Sequence, residues 1–245
     1  MPKVMSARGL MAIDGRKVIE FGELVVTGRL VDASNATLFG HVLTESGEKT
    51  SVIYKPIAGE RPLWDFPDGT LAAREVAAYL FSEFAGFHFV PFTVLRDGPY
   101  GMGAVQEWIN INEEVDTIDL AQSRDESLRK LVLFDAIINN TDRKIGHLLP
   151  ALSGELFVCD HGVCFHQEDK LRTVLWQWRL EKFTRSEVEL LIDISNRFPN
   201  FATMVEGLLT PEEIAATEMR LARLIDDGRF PAPSEDWPAI PWPPI

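Results

Sequence analysis

Two polar interruptions in the second half of the chain follow apolar segments, and both contain an acidic residue. In the first, the apolar run FDAIINN gives way to TDRKIGH, which contains Asp142, Arg143 and His147. In the second, the apolar run LFVC ends at Asp160. Two carboxylates on separate short elements suit magnesium chemistry on phosphates, because one can orient an attacking hydroxyl while the other binds the cation.

A lysine and a glutamate earlier in the chain extend this set. Lys55 ends the otherwise apolar run TSVIYK, and a strand that buries its neighbours buries an ammonium only beside a counter-charge. Glu75, on the helix predicted next, is the natural partner. A strand lysine paired with a helix glutamate is how kinases hold the α- and β-phosphates of ATP. The alternative is an exposed edge-strand lysine and a solvated glutamate.

A polar turn, DASNAT, separates the first two predicted strands. Its Ser34, Asn35 and Thr37 can offer hydroxyl, amide and backbone N–H donors to a phosphate. The same residues also fit an ordinary hairpin turn, because asparagine and serine bond readily to their own backbone.

Cysteine and histidine alternate around Asp160 in the pattern C-x-H-x-x-C-x-H. Cys159, His161, Cys164 and His166 could together bind zinc if a hairpin brought the two pairs side by side. The spacing is not one of the usual zinc patterns. Two small buried cysteines and two loop histidines are the simpler interpretation.

Basic residues gather after this segment, although the protein is acidic. They are Lys170, Arg172, Arg179, Lys182 and Arg185. Such a group is usually a solvated face, but it also follows the predicted metal loop, where an anionic substrate could bind.

The elements that must position these residues differ between the two halves of the chain. The first part alternates like strands in VVTGRLV, LFGHVL, TSVIYKPI, VPFTVLRDG and GMGAVQEWI, with turn residues between the first three. One helix interrupts them. It is predicted to be capped by Thr70, to run to about Ala85, and to bury one stripe.

Helices dominate the remainder. SLRKLVLFDAIINN is apolar nearly all round, as a central buried helix would be, and ELFVCDHGVCFH is a hairpin candidate. Capping boxes are predicted at Ser186 with Glu189 and at Thr210 with Glu213. The segment PAPSEDWPAIPWPPI is rich in proline and tryptophan and is predicted to be an extended strap.

The sequence thus predicts an α+β, two-lobed fold: an antiparallel N-lobe sheet with one helix, and a mainly helical C-lobe. The N-lobe covers residues 1–110, the C-lobe 111–230, and the proline- and tryptophan-rich tail 231–245. The two lobes together fit a protein of 245 residues.

Composition narrows the classes of partner. The net charge is −13, which argues against nucleic acid and against stable residence on an anionic membrane. The chain shows neither a membrane-spanning apolar run nor the apolar core of a signal peptide. With only two cysteines, a reducing cytoplasm is the expected location.

The chain resembles the atypical protein-kinase-like superfamily, which contains phosphatidylinositol 3- and 4-kinases and HipA-type bacterial kinases. It looks most like bacterial phosphatidylinositol-kinase-related proteins, over roughly residues 31–178. The resemblance is carried by VIYKP, AREVAAYL and VQEWI, and above all by NNTDR followed by CDHGVCF. Type II phosphatidylinositol 4-kinases are similar there, with an Asn-Thr-Asp-Arg run and a later Asp-Asn-Gly-Leu-Ala-Phe segment.

The resemblance implies a role for each matching residue. Lys55 would hold the α-phosphate of ATP and Glu75 would fix Lys55. Asp142 would be the catalytic-loop aspartate and Asp160 the metal-binding aspartate. The adenine would lie beside a hinge formed by Gln106, Glu107 and Trp108.

One position departs from the family pattern. The superfamily carries an asparagine five residues after the catalytic aspartate as a second metal ligand, and here that position is His147. Magnesium prefers oxygen, and imidazole is a softer ligand. Either His147 binds manganese or another transition ion, or it touches phosphate as a cation, or one metal site is lost.

These features predict an enzyme that uses ATP and Mg²⁺ or Mn²⁺ to phosphorylate a protein or a soluble small molecule. Two alternatives stay open. One is a nucleotide-binding module without catalysis, and the other is an enzyme that transfers AMP from a flipped nucleotide.

Overall fold

The computed structural model describes residues 15–30, 35–43 and 49–245, which form two compact units. The first unit contains the described residues up to Ala72 together with Pro91–Trp108, and the second contains Ala73–Val90 and Ile109–Ile245. The predicted lobe boundaries at residues 110 and 230 stay predictions. Division by packing places most of the first long helix in the second unit, whereas the sequence assigned that helix to the first lobe.

A five-stranded antiparallel sheet forms the first unit. Its strands are β1 (Glu23–Arg29), β2 (Leu38–Leu43), β3 (Lys49–Pro56), β4 (Thr93–Gly98) and β5 (Gly101–Glu107). They lie in the order β1-β2-β3-β5-β4, and all neighbours pair antiparallel. The five strands predicted from alternating β-branched and apolar residues are therefore confirmed. So is the α+β class with an antiparallel sheet and helices.

A helix at the start of the described chain, α1 (residues 15–21), covers part of this sheet. Ile19 on α1 packs in one buried cluster with apolar side chains from the strands, among them Val42, Tyr54 and Val105. Arg96 in β4 donates one hydrogen bond to the carbonyl of Ile19 and one to the carbonyl of Gly22, which holds the end of α1 to the sheet edge.

The helix α2 (Leu71–Phe84) is capped by a distant side chain. The Glu60 carboxylate accepts from the backbone N–H of Leu71 at 3.2 Å and of Ala72 at 2.8 Å. The Thr70 hydroxyl instead donates to the Pro67 carbonyl at 2.7 Å. The predicted Thr70 cap is therefore replaced, because a carboxylate near the helix N-terminus satisfies two orphan N–H groups and also favours the helix dipole.

Burial of α2 is more complete than the predicted single stripe. Arg74 and Glu75, next to one another on the helix, are only 1% and 3% exposed. Arg74 donates to the Cys164 carbonyl at 2.9 Å and forms an ion pair with Glu213. Charged residues enter this core because each finds partners there, which apolar periodicity does not reveal.

Phenylalanines join the helices of the second unit. Phe81 on α2 lies edge-on to Phe201 of α5 (Arg185–Met204), with ring centroids 5.0 Å apart. It also lies 6.1 Å from Phe134 of α4 (Glu126–Ile138). The remaining helices are α3 (Thr117–Gln122) and α6 (Pro211–Asp227). This aromatic cluster fixes the C-terminal end of α4, from which the polar run Asn139–Arg143 starts.

The caps of α5 and α6 follow the capping-box pattern. Thr210 with Glu213 begins α6 as predicted. The box at α5 is formed by Thr184 with Glu187, so the predicted cap Ser186 is wrong. The hydroxyl of Thr184 reaches the Glu187 N–H while the Glu187 carboxylate accepts from the Thr184 N–H, so that both orphan donors are satisfied.

The hairpin that precedes Asp160 begins earlier than predicted. β6 (Leu148–Pro150) pairs antiparallel with β7 (Leu156–Val158), and residues 159–166 contain a turn at residues 162–163 but no strand. The predicted hairpin within residues 155–166 is therefore wrong. The segment is held instead by bonds to the end of α4, where the Phe165 N–H donates to the Ile138 carbonyl at 2.6 Å.

The tail after α6 runs without helix or strand and bonds to two loops of its own unit. The Ala239 carbonyl accepts from the Thr173 N–H and from the indole N–H of Trp176. The Pro244 carbonyl accepts from the Ile145 N–H at 2.9 Å. Among the described residues, no helix combines the length and the apolar character that a bilayer crossing requires.

Candidate active site

The helix α4 ends in a left-handed residue whose side chain holds a neighbouring segment. Asn139 has φ 53°, and its amide nitrogen donates to the His166 carbonyl at 3.0 Å and the Glu168 carbonyl at 2.6 Å. Its side-chain oxygen accepts from the Lys170 N–H at 2.9 Å. Asparagine suits this place because it tolerates a positive φ and offers both donors and acceptors.

The next two residues use their polar groups in the same way. Asn140 donates to Asp135 Oδ1 at 2.9 Å and accepts from the Asp142 N–H at 3.0 Å. The Thr141 hydroxyl donates to the Val163 carbonyl at 2.8 Å. The polar run after α4 is therefore a built loop, whose backbone direction is fixed before Asp142 is reached.

Arg143 is fully buried and bridges two loops. Its guanidinium donates to the Asp135 carboxylate through Nε at 2.8 Å and Nη2 at 2.9 Å. It also donates to the Cys159 carbonyl at 3.1 Å and to His161 Nε2 at 2.8 Å. Because arginine only donates, His161 Nε2 is the acceptor, and a neutral His161 carries its proton on Nδ1.

Asp160 lies in a backbone conformation that few residues adopt. Its φ is 64°, in the left-handed region, where observed strain often marks a functional position. The residue after it donates its N–H to Glu75 Oε2 at 3.0 Å. Glu75 therefore holds the loop that presents Asp160, and its predicted pairing with Lys55 stays a prediction.

Three side chains that could bind a metal meet in this unit. Asp142, His147 and Asp160 each place one ligand atom within 4.8 Å of the others, and His147 Nε2 lies 3.4 Å from Asp160 Oδ2. The set contains two carboxylate oxygens and one imidazole nitrogen, so its residues fit a divalent cation that accepts both oxygen and nitrogen ligands.

The charge around Asp142 is partly balanced. Burial raises the pKa of the Asp142 carboxyl above its ordinary value, and the Lys144 ammonium, 3.4 Å from Asp142 Oδ2, opposes that rise. The sequence interpretation did not single out Lys144. Its position two residues after the catalytic aspartate candidate was the available signal, because a loop can bring both side chains to the same face.

The predicted nucleotide residues of the first unit lie on its inner strands. Lys55 is half-buried in β3, opposite Ala104 of β5. Gln106 points into the core, where its amide donates to the Thr93 hydroxyl at 2.8 Å. The N–H groups of Glu107 and Trp108 donate to Phe92 and Ser51 carbonyls, so a nucleotide could use only their remaining groups. The hinge and the pairing of Lys55 with Glu75 stay predictions.

The predicted phosphate-binding turn is only partly described. Ser34 lies outside the described residues. Asn35 accepts from the Arg61 N–H at 2.9 Å, and Thr37 is buried. A cavity of about 310 Å³ in the same unit is lined by the loop from Ile57 to Leu71 and includes none of the predicted site residues.

The zinc alternative does not match the geometry of the described chain. In residues 15–30, 35–43 and 49–245, the only cluster of metal-binding side chains is the one formed by Asp142, His147 and Asp160. Cys159, His161, Cys164 and His166 do not converge, because the predicted hairpin between them does not form. Burial also raises the pKa of the Cys164 thiol, which disfavours the thiolate that zinc needs.

The five basic residues that follow Asp160 in the sequence, between residues 170 and 185, have different surroundings in the structure. Lys170 is buried, lies 3.3 Å from Glu168 and stacks 4.5 Å above the Trp237 ring. Arg185 pairs with Glu189 on the exposed face of α5. Arg172 is the member beside the loop that carries Asp142, where its Nε donates to the Thr141 carbonyl at 2.7 Å.

Comparison with known proteins gives the fold. The chain matches no family model. It is similar to hydra Fam20, solved with sugar, with a TM-score of 0.59 and 13% identity over 91% of this chain and 89% of that one. The Golgi casein kinase with Mn/ADP bound has a TM-score of 0.58 at 11% identity over 89% and 75% of the two chains.

A bacterial kinase has the same architecture. The Helicobacter pylori proinflammatory kinase CtkA has a TM-score of 0.52 and 12% identity, covering 86% of this chain and 94% of that one. At such low identity the likeness concerns the fold, which is that of the atypical protein kinases.

A curated relative is similar in sequence along nearly the whole length. Protein Rv2133c of Mycobacterium tuberculosis is 36% identical over 269 aligned positions, which cover 94% of this chain and 95% of the relative. Identity of this extent in chains of matching length shows common descent, so the chain belongs to the family of Protein Rv2133c, and it has an atypical protein-kinase-like fold.

Proposed function

We propose that the protein transfers the γ-phosphoryl group of ATP to a hydroxyl acceptor with the help of a divalent cation. The observation that carries the proposal is the convergence of Asp142, His147 and Asp160, whose ligand atoms lie within 4.8 Å of one another. Two carboxylates from separate loops are what phosphoryl transfer requires, since one serves the acceptor and the other the cation.

In the proposed reaction, Asp142 receives the proton of the acceptor hydroxyl. The acceptor oxygen attacks the γ-phosphorus, the bond from phosphorus to the β–γ bridging oxygen breaks, and ADP leaves. Burial makes the Asp142 carboxylate more basic than a solvated aspartate, which suits a general base. Lys144, 3.4 Å from Asp142, can also contact a phosphoryl oxygen.

Asp160 and His147 are the proposed metal ligands. A divalent cation bound there would neutralise charge on the ATP phosphates. In the first unit, Lys55 is proposed to bind the α-phosphate, and residues 106–108 with the turn at Asn35 and Thr37 are proposed to contact the nucleotide. The Asn-Thr-Asp-Arg run favours the phosphatidylinositol-kinase-like branch of the atypical kinases.

The proposed acceptor is a protein or a soluble small molecule. A net charge of −13 disfavours an anionic lipid surface as the place of reaction, because like charges repel. The half-buried Arg172, beside the catalytic loop, gives that loop a positive neighbour. The proposed location is the cytoplasm.

Incubation with ATP and either Mg²⁺ or Mn²⁺ tests the proposed function. We expect nucleotide to raise the thermal unfolding temperature, ADP to be released, and the intact mass of any self-modified protein to rise by one phosphoryl group. Binding without ADP release would instead indicate a nucleotide-binding module, and a mass increase of one AMP would indicate AMP transfer. Absence of nucleotide binding would overturn all three functions.

His147 is expected to decide which metal supports turnover. We expect His147→Asn to raise the ratio of Mg²⁺-supported to Mn²⁺-supported ADP release by about tenfold, because an amide oxygen replaces a softer nitrogen ligand. The ratio is measured by steady-state kinetics at saturating ATP.

His88→Asn is the matched control for this change. His88 belongs to the same unit, pairs with Glu83 and has φ 55°, which asparagine tolerates. Its replacement should leave the metal ratio unchanged. An unchanged ratio in His147→Asn would mean that the imidazole is not a metal ligand, which leaves contact with phosphate as a cation or loss of one metal site.

A further inference from the structure

A buried carboxylate that belongs to none of the proposed ligand groups lies at the centre of the loop network. Asp135, on the last turns of α4, is 1% exposed. It accepts three side-chain hydrogen bonds, two from Arg143 and one from Asn140, at 2.8–2.9 Å. Neither the metal cluster nor the proposed proton transfer uses this residue.

One set of bonds leads from Asp135 to the metal-binding loop. Arg143, held by Asp135, donates to the Cys159 carbonyl and to the His161 ring. These two residues flank Asp160, whose left-handed backbone must be held from both sides. The guanidinium fork can do this because it is planar and offers donors in several fixed directions.

A second set leads from Asp135 to the catalytic loop. Asn140 donates to Asp135 Oδ1 and accepts from the Asp142 N–H at 3.0 Å. Arg143 is also the residue directly after Asp142. The same carboxylate therefore fixes the backbone on both sides of Asp142 and, through Arg143, on both sides of Asp160.

A gain in folding stability does not by itself explain the buried ion pair between Asp135 and Arg143. Burying two charges costs solvation energy that their attraction only partly restores, and apolar residues of similar volume are often as stable. An apolar pair, however, would not hold the Cys159 carbonyl, and it would leave Asn140, which accepts from the Asp142 N–H, without its bond to Asp135. The specific effect of the pair is thus the geometry of the two loops.

We propose that Asp135 is a positioning residue that, through Arg143, holds Asp160 where it binds the divalent cation and, through Asn140, holds the Asp142 loop beside it. The inference rests on the proposed function and deepens it. Partners outside the ligand shell of a metal commonly change its affinity by about 10–100-fold when they are removed. Asp135 acts on both acidic loops together.

The test measures Mn²⁺ binding by the loss of the free-ion electron paramagnetic resonance signal, with urea unfolding in parallel. We expect Asp135→Asn to weaken Mn²⁺ binding by about 10–100-fold. Because this variant leaves the buried Arg143 without its counter-charge, it can unfold more readily. The double variant Asp135→Leu/Arg143→Met removes both charges, and we expect it to regain urea stability without regaining Mn²⁺ affinity.

A second arginine–carboxylate pair, with one member on α4 and the other on α5, provides the control. Arg129, near the start of α4, makes two hydrogen bonds to Glu187, at 2.7 and 2.9 Å. The variant Arg129→Met/Glu187→Leu should bind Mn²⁺ like the wild type.

Two results would overturn the inference. If the stable double variant binds Mn²⁺ as tightly as the wild type, the Asp135–Arg143 pair is structural only and the proposed function stands. If the wild type itself does not bind Mn²⁺, the metal-dependent function and this inference fail together.

Discussion

Asp160→Asn is expected to weaken Mn²⁺ binding by more than about 100-fold, because loss of a ligand should exceed the 10–100-fold effect of losing an outer partner. ADP release should fall with it. Asparagine is the suitable replacement since it tolerates the φ of 64° at this position while removing the carboxylate charge. Metal affinity by electron paramagnetic resonance and ADP release by a coupled assay measure the two effects.

Asp193→Asn provides the comparison for this result. Asp193 pairs with Arg197 on the exposed face of α5, so its amide variant should bind Mn²⁺ like the wild type. Asp160→Asn should also unfold at nearly the same urea concentration as the wild type, because the Asp160 side chain is 52% exposed. Normal metal affinity in Asp160→Asn would remove Asp160 from the proposed site.

Asp142→Asn is expected to lower turnover strongly while changing Mn²⁺ binding little, unlike Asp160→Asn, which should lower both. We expect kcat to fall by about 10²–10⁴-fold, the usual range for loss of general acid–base catalysis. The affinity for Mn²⁺ and ADP should change far less, because Asp160 and His147 remain. Steady-state kinetics and nucleotide titration separate the two quantities.

The pH profile gives Asp142→Asn a second readout. Catalysis needs the carboxylate form, and burial raises the pKa of Asp142, so wild-type kcat should be lost as pH falls through that raised pKa. This limb should disappear in Asp142→Asn. A variant that loses metal affinity as fully as Asp160→Asn would show that Asp142 is a ligand instead of the base.

The sheet was predictable from local sequence. Alternating β-branched residues and short turns identified all five strands of the first unit, because each strand buries one face and the side-chain period is two. The antiparallel class followed from the tight turns. The capping box at Thr210 was predictable for the same reason, since its partners are three residues apart.

Elements that depend on distant partners were predicted less well. Thr70 is a good local cap, but the Glu60 carboxylate occupies the N-terminus of α2. The hairpin expected across residues 155–166 is displaced because the carbonyl of Ile138, at the end of α4, accepts from the Phe165 N–H. In each case a bond between segments far apart in the chain outweighs local preference.

In the candidate site, too, some residues were predictable from local sequence and others depend on distant partners. Acidic residues after apolar runs pointed to Asp142 and Asp160, and their types alone indicated metal and phosphate chemistry. The importance of Asp135 and Arg74 could not be read from the sequence, because a buried charge looks like a solvated one until its partners are known.

Residue order in this chain specified the strands, most helices and the kind of chemistry that two aspartates and a histidine can perform. Whether those side chains meet depended on long-range bonds: Arg143 joins the two acidic loops, and Glu75 holds the residue after Asp160. Spacing along a chain limits which local elements form, whereas distances between loops follow from the packing of every element that carries them.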